Sequence, residues 1–96
     1  MSTINFRRVV HGPDVLIQDL EGEAVLLNLT NGQYYGLDKD SYHMYKVLIS
    51  SASVEAAYAS LLQEYEVEPV QLRTDLEKFL AHLFENGLVT YSDDLA

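Results

Sequence analysis

Cysteine is absent from this 96-residue chain. That excludes disulfides, thiolate metal ligands and a cysteine nucleophile, and it suits a reducing cytosol. Basic residues are scarce: six Lys and Arg stand against 15 Asp and Glu, for a formal net charge of −9. Such a surface repels phosphate backbones, because nucleic-acid affinity depends largely on Lys and Arg displacing counterions. It suits protein partners or a basic peptide, and it also aids solubility. The N-terminus lacks a basic region followed by an apolar run, so no signal peptide is expected. No apolar stretch approaches the roughly 18–20 residues of a membrane span, and no membrane role is expected. There is no Gly-rich phosphate loop. His11, His43 and His82 are scattered without ligand spacing, which argues against a metal site. The close pairs Asp38/Asp40 and Asp93/Asp94 read as helix capping and a solvated tail. Nothing points to a Ser-His-Asp triad. The expectation is therefore a protein that is not an enzyme, with no cofactor and no catalytic residue.

What is present suffices for one folded domain. The hydrophobic fraction is 48%, enough to argue against disorder, and the length leaves no room for a second core. The most informative stretch runs from Leu26 to Asp38. It reads as an apolar strand, a tight Asn31-Gly32 turn, an aromatic strand and a helix cap. Asn-Gly is a strong hairpin signal, because both residues tolerate the positive φ of a type I′ turn. Residues 1–14, with Ile4, Phe6, Val9 and Val10, form a loose arm with room for a short strand. Val15 to Leu20 is the first clear strand, Glu21-Gly22 a two-residue turn, Glu23 to Leu29 the second strand and Gln33 to Leu37 the third. Such a meander is antiparallel.

A two-residue Asn31-Gly32 turn places Leu29 opposite Tyr34 and Leu27 opposite Gly36. Leu16, Val25, Leu27, Leu29 and Tyr34 then share one face. Ile17, Leu26, Asn28, Tyr35 and Leu37 share the other. Both faces carry apolar groups, so the pattern leaves the core face open.

The remainder is helical. Asp38 caps a first helix that runs to about Ser50, with Tyr42, Tyr45, Leu48 and Ile49 on one stripe. Ser53 caps a second, with Val54, Ala57, Tyr58, Leu61, Leu62 and Tyr65. Pro69 suits the first turn of a third, where its missing N–H costs nothing. Gly87 is a natural residue just past its C-terminus, with Leu88-Val89 packing back. Thr90-Tyr91 extends into a short strand and Ser92 to Ala96 is a polar tail. Segregated strands and helices give an α+β domain: a three-stranded antiparallel meander followed by three helices, with the parts of a winged helix-turn-helix.

At about 100° per residue, Leu72, Leu76, Phe79 and Leu83 lie on the core-facing line of the third helix. Leu80 and Phe84 lie to one side, with Arg73 and Glu77 just beyond. This widened flank is the candidate wall of a cleft, with Arg73 and Glu77 as rim charges; the alternative is that Leu80 and Phe84 simply complete the core. If no other strand pairs with Gln33–Leu37, its outer edge stays open to another chain.

The run Leu26-Leu27-Asn28-Leu29-x-x-Gly32-x-Tyr34-Tyr35-Gly36-Leu37 is followed by two helices and Val67-Glu68-Pro69. Then comes Asp75-Leu76-x-x-Phe79-Leu80-x-x-Leu83-x-x-x-Gly87-Leu88-Val89. This pattern, over about residues 15–89, resembles the PqqD-like family, the recognition elements of ribosomally synthesised, post-translationally modified peptide pathways. Gly32-Gln33-Tyr34-Tyr35-Gly36-Leu37 is more similar to the stand-alone elements of lasso-peptide biosynthesis than to the pyrroloquinoline-quinone branch. The resemblance implies capture of a precursor's leader peptide as an added strand beside the third strand and against the third helix. It also implies work alongside a leader peptidase and an ATP-dependent macrolactam-forming enzyme. The peptide-binding candidates are Gln33, Tyr34, Tyr35, Gly36, Leu37, Arg73, Leu76, Glu77, Leu80 and Phe84. Two rival readings remain. A winged-helix nucleic-acid binder would place Asp75, Glu77 and Glu85 in a DNA groove, the wrong electrostatic footprint. A generic interaction or dimerisation module would pair the open edge with a second copy.

Overall fold

The computed structural model describes residues 7–92. Eight elements follow in order: β1 (Val9–His11), β2 (Val15–Leu20), β3 (Glu23–Asn28), β4 (Gln33–Leu37), α1 (Lys39–Ser50), α2 (Val54–Glu64), α3 (Pro69–Glu85) and β5 (Val89–Tyr91). They make an α+β domain with two antiparallel sheets, a meander in the order β2-β3-β4 and a small pair β1-β5. The strand expected in the N-terminal arm is β1. Ile4, Phe6 and the tail beyond Ser92 lie outside the described residues.

Local chemistry sets the helix ends. The Asp38 carboxylate accepts from the Ser41 N–H at 2.8 Å, and the Ser53 hydroxyl accepts from the Ala56 N–H at 3.0 Å. Each satisfies an orphan donor of a first helical turn. The Ser41 bond also holds the Asp38 carboxyl below its ordinary pKa. Pro69 sits in the first turn of α3. That helix closes on a Schellman motif: Gly87 donates to the Phe84 carbonyl at 3.1 Å and Leu88 to the Leu83 carbonyl at 2.9 Å. Gly87 has φ +67°, a conformation a side chain would strain.

The β2–β3 turn is the two-residue Glu21-Gly22 turn, with Leu20 opposite Glu23 and positive φ at both turn residues. The β3–β4 turn differs from expectation. Asn28 pairs with Gln33 and Leu27 with Tyr34, so the loop has four residues, 29–32, and the register is shifted by two. Only Gly32 takes positive φ there; Asn31 does not. The cause is competition for backbone groups. The Leu29 N–H donates to the Asp14 carbonyl at 2.8 Å, and the Thr30 N–H is taken by the Asn28 side chain at 2.9 Å. Asn31 accepts from the Gln33 N–H at 2.9 Å, which makes it an Asx turn residue. The ladder therefore ends at Asn28. A shift of two preserves the pleat, so the two predicted sets of side chains still share their faces.

The core lies beneath the face of Ala24, Leu26, Asn28 and Leu37, all buried. α1 covers this face, and α2 and α3 complete the interior with Leu48, Leu61, Leu76, Leu80 and Leu83. The opposite face, the one richer in aliphatics, stays uncovered among the described residues.

One polar link ties β1 to α1. His11 Nε2 bonds the Val15 carbonyl, which can only accept, so Nε2 carries the proton. Nδ1 is then an acceptor and takes the Tyr45 hydroxyl proton at 2.6 Å. Tyr45 has no solvent exposure, and burial first, then the neighbouring Tyr42, pushes its phenol up to about 12. A raised phenol favours folding below the unfolded value near 10, and that contribution is lost as pH climbs from there through about 12. Tyr45→Phe should lower stability at pH 7 by about 1–3 kcal/mol, since His11 Nδ1 loses its donor. The variant should also lose less stability than the wild type between pH 10 and 12. Urea midpoints across pH 7–12 check both; equal midpoints at neutral pH would show that the link contributes nothing.

Candidate functional site

β4 is the terminal strand of its sheet, and no strand among the described residues pairs with its outer edge. The described strand of the N-terminal arm pairs elsewhere, Val9 with Tyr91 and His11 with Val89. In an antiparallel strand every second residue aims its N–H and C=O away from its partner. Five residues of β4 therefore present a short ladder to a guest. Its side chains alternate. Tyr34, 70% exposed, and Gly36 lie on the outer face, while Tyr35, half-buried, and Leu37, buried, lie on the core face. Gln33 is exposed at the start. Of the two tyrosines only Tyr35 packs against the core.

Asn28 fixes where this edge stands. It is a buried polar side chain at the end of an apolar strand, only 6% exposed. Its Nδ2 donates to the Asn86 carbonyl at 2.9 Å while its Oδ1 accepts from the Thr30 N–H at 2.9 Å. One side chain thus shapes the β3–β4 loop and pins it to the C-terminus of α3. The close approach continues at Gly87, where an added Cβ would lie 3.0 Å from Asn28 Nδ2.

On α3 the structure redraws the expected site. Leu76 and Leu80 have no exposure at all and belong to the core. The Arg73 guanidinium lies over the Tyr58 ring of α2, 4.7 Å from its centroid. Phe84 packs on Tyr91 of β5 with ring centroids 4.7 Å apart. The flank of Arg73, Leu80 and Phe84 therefore serves the α2 and β5 contacts. Glu77, half-buried, shares its side of the helix. The stripe's other flank carries Phe79, half-buried against the core and more than 100° around the helix from Arg73 and Phe84. Stripe width showed that the helix had surplus apolar surface but not which neighbour each flank would meet. Asn28 and Phe79 enter as further candidates that the sequence reading did not single out. An Asn inside Leu26-Leu27-Asn28-Leu29 was the available signal, since a polar side chain on a buried strand face must find partners.

Among the described residues no group of three or more His, Asp or Glu is placed to hold a metal ion. No described helix is long and apolar enough to cross a membrane.

The PqqD family profile, described as coenzyme PQQ synthesis protein D, matches residues 23–89. The chain belongs to the PqqD family. The match runs from the start of β3 into β5 and includes the whole of β4 and α3. The fold is similar to that of TbiB1 in complex with the TbiA(beta) leader peptide, with 27% identity and a TM-score of 0.78. The similarity covers 88% of this chain and 99% of TbiB1. A lasso peptide synthetase B1 complexed with the leader peptide shares the fold at 24% identity and a TM-score of 0.76, over 86% and 98% of the two chains. No curated protein matches. In this PqqD-family chain the likeness to a winged helix-turn-helix is one of shape.

Asn28→Ala should cost about 1–3 kcal/mol, because it strands a part-buried carbonyl and a loop N–H together. Guanidinium denaturation of the variant measures this; a loss under about 0.5 kcal/mol would show that the pin is dispensable.

Proposed function

We propose that this protein is a non-catalytic receptor for the leader segment of a ribosomally made precursor peptide. The leader adds as a strand to the outer edge of β4. The observation that carries this reading is the open β4 edge in a PqqD-family chain whose N-terminal strand is committed to β5. The similarity to TbiB1, a protein seen with a leader peptide, supports the same ligand class. The backbone of Gln33–Leu37 supplies the ladder. Tyr35, with Phe79 on the flank of α3 not taken by α2 and β5, supplies the apolar anchor surface. Leu76 and Leu80 back that surface from the core.

The magnitudes are adequate. Two or three outward-facing residues of β4 form about four to six hydrogen bonds, each contributing about 0.5–1.5 kcal/mol net. One or two buried anchors add about 1.5–3 kcal/mol each. Ordering a disordered leader takes back about 2–5 kcal/mol, and loss of rigid-body freedom takes back more. Micromolar to high-nanomolar affinity, about −8 to −9 kcal/mol, is the expectation and calls on the upper end of these contributions. The role is delivery in the cytoplasm: the bound leader is presented to a leader peptidase and to an ATP-dependent macrolactam-forming enzyme of a lasso-peptide pathway.

Fluorescence polarisation with the labelled cognate leader tests this. Saturable binding is expected at or below a few micromolar, about −8 kcal/mol. Tyr34→Pro, which removes an N–H turned away from β3, should weaken binding about tenfold or more and Phe79→Ala about fivefold, with circular dichroism confirming the fold; these losses match about one or two hydrogen bonds or a truncated anchor. A leader N-methylated at alternate residues keeps its side chains but loses donors, and should bind at least as weakly. No saturable binding at tens of micromolar would overturn the reading. Retention of the protein on heparin at physiological salt would favour the nucleic-acid alternative.

A further inference from the structure

β2 is the other terminal strand of the meander, and no strand among the described residues pairs with its outer edge. The Leu29 N–H donates to the Asp14 carbonyl, which makes Asp14 and Leu29 a hydrogen-bonded pair. On the same ladder Leu16, Gln18 and Leu20 turn their backbone groups toward β3, while Val15, Ile17 and Asp19 turn theirs outward. Val15 is engaged within the fold. Its N–H donates to the Gly12 carbonyl at 3.2 Å, and its carbonyl accepts the His11 Nε2 proton. Ile17 and Asp19 remain, on a strand that is exposed from Leu16 to Leu20. An open edge of this kind is a template for another strand.

The sequence of this edge is complementary to itself. Two copies of β2 can meet antiparallel about a two-fold axis through Gln18. Ile17 then opposes Asp19 of the second copy, and the two residues exchange both backbone bonds, about four in all across the axis. Leu16 opposes Leu20 of the second copy, so side chains that are 55% and 47% exposed cover each other twice. Asp14 opposes Gly22 of the second copy. Lys39 lies at that turn, its Cε 3.8 Å from where a Cβ on Gly22 would stand. Each Asp14 thereby stands beside a Lys39 of the other copy. Glu21 opposes Val15, and no carboxylate is directly opposite another. An axis through Asp19 would set two carboxylates face to face. An axis through Ile17 would leave one bonding residue per strand, because Val15 is engaged.

We infer that β2 is a self-association edge, to which a second copy of this chain adds. Two three-stranded meanders then join into one sheet. Its order is β4-β3-β2 in one copy followed by β2-β3-β4 in the other, so each β4 lies at a far end. Both β4 edges stay open, and the dimer carries two leader sites at once. The association itself does not depend on the leader reading. Each copy bears a net charge of −9, which keeps the dimer weak.

Sedimentation velocity of the full chain, from about 5 to 500 µM, tests this. The weight-average coefficient should rise from monomer to dimer with a midpoint on the order of 10–100 µM. Ile17→Pro removes an outward N–H and spares the β3 ladder, and should weaken the dimer about tenfold or more. Asp14→Lys should weaken it about fivefold, and adding Lys39→Asp should restore it to within about twofold. Circular dichroism checks each fold; should Ile17→Pro not fold, the Asp14/Lys39 swap decides alone. Saturating leader should leave the dimer intact, since it occupies the opposite edge. A monomer throughout the range would overturn the inference, as would a dimer indifferent to both Asp14→Lys and the swap. A dimer that leader dissolves would also overturn it, by assigning the contact to β4. Failure of the leader to bind would strike the receptor reading and leave the β2 dimer standing.

Discussion

The pairing of β1 with β5 decides what the rest of the molecule can do. Three residues on each side bring the first and last described strands together, and they give the N-terminal arm a partner far away in sequence, Val9 opposite Tyr91 for example. Backbone donors and acceptors of a strand must be satisfied somewhere. Once residues 9–11 satisfy theirs against β5, they are not available to cap the meander, and β4 remains a terminal strand among the described residues. The His11–Tyr45 link strengthens this commitment by tying the end of β1 to the buried face of α1. Open edges are hazards that proteins usually blunt. β4 is kept to five residues, and the helix cap at Asp38 ends it.

Asn28 couples that edge to α3. A buried amide needs partners on both its atoms, and these two partners come from different parts of the chain, the Thr30 N–H and the Asn86 carbonyl. The loop that launches β4 and the terminus that ends α3 are thereby held in one geometry. A strand added there, as proposed, would meet an edge and a helix already held in place, so less of the binding free energy would go to ordering the receptor. The sheet's two faces divide the labour. The inner face belongs to the core, and the outer face, with Leu16 and Tyr34 exposed, is left uncovered among the described residues.

The sequence declared those features whose causes are local. Asp38, Ser53, Pro69 and Gly87 mark helix ends through interactions within a few residues of themselves, and all four stand where they were read. The Glu21-Gly22 turn is likewise a two-residue affair. The Asn31-Gly32 turn was misread because its outcome depends on Asp14 and Asn28 taking the N–H groups of Leu29 and Thr30. Which sheet face is buried was illegible because both carry apolar side chains; only the placement of the helices selects one. The α3 flank was illegible for a related reason. Periodicity reports how wide a stripe is, but Arg73 meets Tyr58, and Phe84 meets Tyr91, only through tertiary packing. From the sequence the open edge was conditional on no other strand pairing with Gln33–Leu37; among the described residues that condition is met, because the strand after α3 pairs with β1.

Amide hydrogen exchange along β4, followed by NMR in the free protein and with saturating leader, probes the open edge directly. In the free protein the amides of alternate β4 residues, those turned away from β3, should exchange quickly while their neighbours are protected. Leader should slow that set alone by about tenfold or more and leave β1 and β5 unchanged, as expected when exposed donors enter a ladder. Uniform protection of β4 before leader is added, or an unchanged pattern at saturation, would contradict the account.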